Sequence, residues 1–388
     1  MGQYWIIAAL DSKKLLFNAH IKLGELLFEP AVAEDVERAL AVPVVPTHHD
    51  SRPENVKSHH SAAGVGTMDR KPGSFSRFPT EIHRLIFEHC YDDDLKSVVF
   101  LGVTNQYFWS IAREYVVRDF TQTFGVWAGQ QLITVGDYVK VDDYPPGLFA
   151  TEEDKENLLK RRPEDEESED EGSEDEVYQL PVEQQTLTLY ERISRSFTRL
   201  PDTRSTSLDR DYSILDALAQ DPCYRTVRNV FCMECDDFYP PDEVWILRNL
   251  TTHQYVRREP LELQPGLAHG PFVQGIGFGC VVLSRISWSS DSSVALHDPT
   301  GRIHRGLWAG HRFDITTMTR HEKLTAGQNW TDVTEELVEE VTAIWSAEMG
   351  PKALYSSAVR FRSRYQIDFN WYQNTKCHYA ATWYGQNA

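Results

Sequence analysis

Cysteine is scarce. Six cysteines in 388 residues are too few for the dense cross-linking of a small secreted scaffold, and such scarcity points to a reducing compartment. Long apolar runs are missing as well, none reaching the roughly 20 residues that span a bilayer. The opening Met1-Gly2-Gln3-Tyr4-Trp5-Ile6 has no positive flank, and its apolar run stops at Asp11-Ser12-Lys13-Lys14, so no secretory leader is expected. Ile6 stands where a myristoylation signal wants Ser or Thr. Basic surplus is absent too. The chain holds 39 Lys and Arg against 58 Asp and Glu, a net −19, which disfavours a nucleic-acid partner dependent on clustered cations. These absences predict an intracellular protein, cytoplasmic or nuclear, that binds neither nucleic acid nor membrane.

The acidity that is present is local. Residues 142–176 hold sixteen acidic and four basic side chains, so they account for −12 of the total and leave −7 for the other 353 residues. Like charges at that density repel, and 151–177 is expected to be a disordered, solvated insertion. Ser168 and Ser173 each precede a Glu by three residues, the pattern that acid-directed kinases prefer. Phosphorylation would add about −1.5 to −2 at each; a passive spacer is the other use of such a block. Residues 47–76, rich in Pro, His and Ser without an apolar period, are expected to be a flexible linker.

Elsewhere the apolar pattern alternates between helical and extended periods. Tyr4–Leu10 with Leu15-Leu16 predicts a strand pair. Leu23–Phe28, Val32–Leu40, Leu187–Phe197, Ile214–Ala219 and Val333–Trp345 predict helices, the last capped by Asp332 and stopped at Gly350. Val244–Leu250, Gln254–Val256, Gly279–Trp288 and Arg312–Thr317 predict strands. The mixture implies an α+β domain assembled from 122–150 and 178–350 with 1–46, followed by an aromatic tail over 351–388. Trp127-Ala128-Gly129 and Trp308-Ala309-Gly310 each feed an expected strand. Three shared residues do not establish a repeat, and similar turn chemistry used twice accounts for them.

Residues 77–121 predict three short helices. Pro79 suits a helix entrance, where its missing N–H costs nothing, and Glu81 complements the helix dipole. Ile82, Leu85, Ile86 and Cys90 fall on one face, Asp94 can cap the second helix, and Asn105 the third. A unit of about 45 residues cannot bury much alone, so part of its apolar surface must be covered by the chain or by a partner. The run Phe78-Pro79-Thr80-Glu81-Ile82 through Ile86-Phe87, then Asp94-Leu95, then Val103-Thr104-Asn105-Gln106-Tyr107-Phe108-Trp109, resembles an F-box, with Phe78 in place of the usual Leu before the Pro. The flanks, Gly2-Gln3-Tyr4-Trp5, Trp127-Ala128-Gly129, Gly136-Asp137-Tyr138 and Arg285–Asp291, are similar to those of a group of fungal F-box-like proteins. The resemblance implies docking on the small adaptor of a cullin-type ubiquitin ligase through Phe78, Pro79, Ile82, Ile86, Leu95 and Val98. A protein substrate would then be held by the α+β domain. The same stripe could instead pack on the chain's own α+β domain.

Signals for chemistry are weaker. Cys223, Cys232 and Cys235, with His253, have partial zinc-ligand spacing but lack a second Cys-x-x-Cys, and buried free cysteines are the plainer expectation. Gly275-Ile276-Gly277-Phe278-Gly279 lacks the Lys-Ser/Thr of a phosphate loop and is expected to lead into a strand. Ser289, Asp291, His297, His304, His311 and Asp314 are dense enough to line a pocket, but strand-edge and turn roles suffice for them. No cofactor, no metal and no enzymatic activity are expected. The alternative is a ligand-binding or enzymatic α+β domain near Trp127–Tyr138 and Trp308–Asp314, with an F-box-like module that has no ligase role.

Overall fold

The computed structural model describes residues 2–16, 21–44, 78–102, 104, 106–159, 187–200, 238–261, 268–273 and 275–350. They form a mixed α/β fold. In chain order come β1 (Trp5–Ala9), β2 (Lys14–Leu15), α1 (Leu23–Phe28), α2 (Pro30–Leu40), α3 (Thr80–Asp93), α4 (Leu95–Gly102), α5 (Gln106–Thr123), β3 (Leu132–Gly136), α6 (Glu152–Leu159), α7 (Leu189–Ser196) and β4 (Thr198–Arg199). Then follow β5 (Trp245–Asn249), β6 (Gln254–Arg257), β7 (Ala268–His269), β8 (Phe272–Val273), α8 (Phe278–Arg285), β9 (Ser287–Trp288), β10 (Phe313–Thr317), α9 (Met318–Leu324), β11 (Thr331–Asp332) and α10 (Thr334–Met349). Among the described residues no helix is long and apolar enough to cross a membrane. The expected helix at Ile214–Ala219, the cap Asn105, and the segments 47–76 and 351–388 lie outside the described residues, as does most of the acidic insertion.

The chain divides into two compact units. One holds residues 43–123 and 205–240; the other holds residues 1–42, 124–204 and 241–388. In the first, α3, α4 and α5 pack against one another. Asp94 does cap α4, its Oδ1 accepting the Ser97 N–H at 2.9 Å. The buried face of α3 differs from the expected stripe: His83 and Phe87 point inward, Ile86 and Cys90 are half-buried, and Ile82 and Leu85 are exposed. Burial of a polar His is made tolerable by the Tyr107 hydroxyl 3.0 Å from its Nδ1 and by the edge of Phe108 5.0 Å from its ring.

Among the described residues the second unit contains the small pair β7-β8 and two larger sheets, ordered β4-β2-β1-β3-β9 and β10-β5-β6-β11, which are built alike. β1 pairs antiparallel with β3 from Trp5–Gly136 to Ala9–Leu132, and β5 pairs with β10 from Trp245–Thr317 to Asn249–Phe313. The hairpins share a register, Ala8 opposite Leu15 and Arg248 opposite Tyr255. Each turns through a left-handed residue at the same place, Lys13 at φ 53° and His253 at φ 54°. β4 runs parallel to β2 as β11 runs parallel to β6. The Trp-Ala-Gly turns meet reciprocally: Gly129 N–H donates to Phe313 O at 2.7 Å, and Gly310 N–H donates to Leu132 O at 2.8 Å. Both glycines sit at φ 79°, a conformation that favours glycine. The turns are therefore related by an approximate two-fold, and coincidental turn chemistry does not account for them.

One further expectation is overturned. Gly279–Trp288 is not a strand; residues 278–285 form α8, and only Ser287–Trp288 is extended. Every side of α8 is buried, so its sequence is apolar all round and shows no 3.6-residue stripe, while its valines mimic a strand. The Gly275–Gly279 loop thus opens a helix. At the start of α10, Val333 occupies the cap position, and Asp332 lies one residue earlier, its Oδ1 accepting the Thr334 N–H at 3.0 Å.

Candidate functional site

The helical unit presents apolar side chains to solvent. Of the eleven exposed large apolar side chains among the described residues, five (Phe78, Ile82, Leu85, Phe100 and Tyr107) lie between positions 78 and 107. Ile82 and Leu85 lie on α3, Phe78 stands two residues before that helix begins, and Leu85 is 65% exposed. Beside Leu85 a shallow depression is lined by Glu81 and by two ion pairs, Arg84–Glu114 at 2.8 Å and Arg118–Glu88 at 3.1 Å. Tyr115 lies beneath them, and burial followed by the Glu88 carboxylate pushes its hydroxyl up to about 12, so it stays protonated. Of the residues that the F-box resemblance singles out, Phe78, Pro79 and Ile82 are exposed and Ile86 is half-buried. Leu95 and Val98 are not available to a partner: they are 7% and 0% exposed, because they belong to the buried face of α4.

A second candidate lies on sheet β10-β5-β6-β11. On the outward side of β1 and β3, Ile6, Ala8, Leu10, Ile133 and Val135 pack with Leu189, Tyr190 and Ile193 of α7 into a wholly apolar cluster. The register places Arg248 where β1 has Ala8, Asp314 where β3 has Ile133, and Tyr255 where β2 has Leu15. Arg248 and Asp314 form a buried bidentate pair, Nε to Oδ1 at 2.8 Å and Nη2 to Oδ2 at 2.6 Å. Around it stand Trp330, whose ring centre is 5.6 Å from the guanidinium, and His321, edge-on to Trp330 at 5.0 Å. Tyr255 lies 5.5 Å from His321. His321 is 6% exposed, and among the described residues its Nδ1 has no hydrogen-bond partner. Burial, then the nearby Arg248 charge, lowers its pKa, so the ring is neutral near pH 7 and able to donate or accept a hydrogen bond.

No family model matches the chain, and no curated protein or solved structure does either. The residues themselves carry the functional reading.

Of the other candidate residues, Ser289, Asp291 and His304 come together: Ser289 N–H donates to His304 O at 2.9 Å and Asp291 N–H to Ser289 Oγ at 3.2 Å. Ser289 donates to Gln3 Oε1 at 2.6 Å, His311 Nδ1 faces Asn249 at 3.0 Å, His297 N–H binds Glu348, and Asp314 is taken by Arg248. These are turn and packing roles. His253 stacks on Trp330 at 5.0 Å; Cys223, Cys232 and Cys235 lie outside the described residues, as do Ser168 and Ser173. Among the described residues no group of His, Cys, Asp and Glu side chains is placed to hold a metal. Reading from residue types passed over Arg248, Tyr255, His321 and Trp330. Laying Trp5–Leu16 over Trp245–Val256 is the signal that would have found two of them, since it sets Arg248 against Ala8 and Tyr255 against Leu15.

Proposed function

We propose that the chain is a protein-interaction adaptor in which the three helices of residues 80–123 act as an F-box-like module and dock on the adaptor of a cullin-type ubiquitin ligase, while the α+β domain receives a protein substrate and performs no catalysis. The observation that carries this reading is the exposure of the large apolar side chains Ile82 and Leu85 on α3. Large apolar groups at such a density are the anchors of interfaces. With Leu95 and Val98 withdrawn into the core, the contact set becomes Phe78, Pro79, Ile82 and Leu85, with Ile86 at its margin. Ile82→Asp with Leu85→Asp should abolish co-purification with the ligase adaptor and leave the melting temperature within a few degrees of wild type, since both side chains face solvent. Wild-type protein that captures no ligase adaptor would sink the reading.

One observation favours a second reading, a small-molecule site in the α+β domain. It is the bare His321 Nδ1 inside the Arg248, Tyr255 and Trp330 cluster, because buried polar atoms normally have partners. Native mass spectrometry of the purified full chain should then reveal a co-purifying polar molecule that His321→Leu loses. Identical mass spectra for the two proteins, apart from the substitution, would dismiss it.

A further inference from the structure

Four separate segments carry one correspondence: the hairpins β1-β2 and β5-β6, the Trp-Ala-Gly turns, the helices α2 and α8, and the edge strands β4 and β11. The bonds around each agree in donor, acceptor and order. Leu10 N–H donates to Gln131 O and Leu250 N–H to Arg312 O; Thr198 N–H donates to Lys13 O and Thr331 N–H to His253 O. Trp127 N–H donates to Ala39 O at the end of α2, and Trp308 N–H to Arg285 O at the end of α8. Counting back six residues from these two acceptors reaches Ala33 and Gly279, and these two positions touch: a Cβ on Gly279 would collide with the Ala33 carbonyl. Gln131 faces Arg312, its own counterpart, across an antiparallel bridge, which places the axis there. Such reciprocity, in which i meets j and j's counterpart meets i's, defines an isologous interface.

The halves also exchange segments. The chain leaving α2 crosses to the other sheet, where Ala41 pairs parallel with Ile315 of β10 and Val42 N–H donates to Ile315 O at 2.8 Å. The chain leaving α8 crosses the opposite way, Ser287 pairing parallel with Thr134 of β3. Thr134 and Ile315 are counterparts, each seven residues beyond the Trp of its turn. Neither sheet is complete without a piece of the other half.

We propose that this unit is two copies of one module, residues 3–42 with 124–200 and residues 243–333, held as an isologous, segment-exchanged pair. Each copy's binding partner is the other copy, and the covalent link between them is dispensable. What the copies still share in sequence is what the geometry needs: Trp5 and Trp245, Ile6 and Ile246, Leu10 and Leu250, and the two Trp-Ala-Gly turns.

The test is a full-length chain with a protease-cleavable sequence placed within residues 201–237. After cleavage the two pieces should co-elute as a one-to-one complex with an unchanged far-UV circular dichroism spectrum; separation under native conditions overturns the proposal. The helical unit also spans the cut, with Val44 N–H bonded to Phe238 O, so a second variant isolates the copy–copy interface. Gly279→Ala should weaken association of the cleaved pieces at least tenfold, and a complex as tight as the unsubstituted one refutes the interface. A third arm tests the two-fold. Arg312 pairs with Asp11 at 2.9 Å, and the counterparts of these residues are Gln131 and Thr251. Gln131→Arg and Thr251→Asp in uncleaved protein should recreate that pair, so that the double variant melts above the sum of the single effects. Strict additivity counts against the correspondence.

Discussion

Asp314→Ala alone is expected to destabilise the fold by about 3–5 kcal/mol, because it strands the Arg248 guanidinium in a buried site. Arg248→Ala combined with Asp314→Ile should recover most of that loss. The double variant installs the residues that the first copy already uses at those positions, Ala8 and Ile133, both of them fully buried. Replacing a buried ion pair by well-packed apolar groups is often neutral or better, whereas breaking it is costly. Urea denaturation of the three proteins decides the matter, and a double variant no more stable than Asp314→Ala would contradict it. If the pair serves a ligand, the double variant will fold and yet lose binding. That outcome would separate a functional from a structural reason for the divergence between the copies.

The second large effect concerns Glu37. Its carboxylate oxygen accepts the Gly279 N–H at 2.9 Å at the entrance to α8, and the side chain is buried. Burial is the main cause that pushes its pKa up to about 8; Glu34 adds to the rise, while the Gly279 N–H and Arg38 oppose it. The folded protein therefore holds a proton that the unfolded chain releases near pH 4.5. This contribution to stability is complete below pH 4.5, falls as pH rises toward 8, and is flat above that, with a limiting slope of about 1.4 kcal/mol per pH unit. Glu37→Gln keeps the acceptor and cannot ionise. The difference in unfolding free energy between Glu37→Gln and wild type should grow in the variant's favour by a few kcal/mol between pH 5 and pH 8. A difference that stays constant across that range would show that Glu37 is ionised in the fold. The position on α8 that corresponds to Glu37, four residues beyond Gly279 as Glu37 is four beyond Ala33, is the apolar Leu283, so the acid is peculiar to one copy.

Much of the fold is legible in local patterns. Pro79 at the entrance of α3, Asp94 at that of α4, and the alternating stripe of α10 fix those helices, because each depends on neighbours three or four residues away. The rest depends on distant partners. α8 reads as a strand because burial on every side erases the period that marks a surface helix. The inward turn of His83 rests on Tyr107 and Phe108, which the spacing of residues 80–93 cannot reveal. The polar cluster stays hidden for the same reason: Arg248 and Asp314 are 66 residues apart in sequence, and only the strand register brings them together. Trp127-Ala128-Gly129 and Trp308-Ala309-Gly310 were visible as words, but their meaning lies in hydrogen bonds that each makes to the strand following the other.

The crossing of Val42 to β10 and of Ser287 to β3 also sets the order in which a nascent chain can fold. The first sheet lacks its edge until the ribosome has released Trp288, and Val42 has no acceptor until Ile315 emerges. The three-helix unit, whose contacts are close in sequence, can form while both sheets wait. Contacts so distant close slowly, and the open edge of β3 stays exposed until β9 emerges. The topology thus leaves the edge of β3 unpaired over the whole interval of synthesis from Thr134 to Ser287.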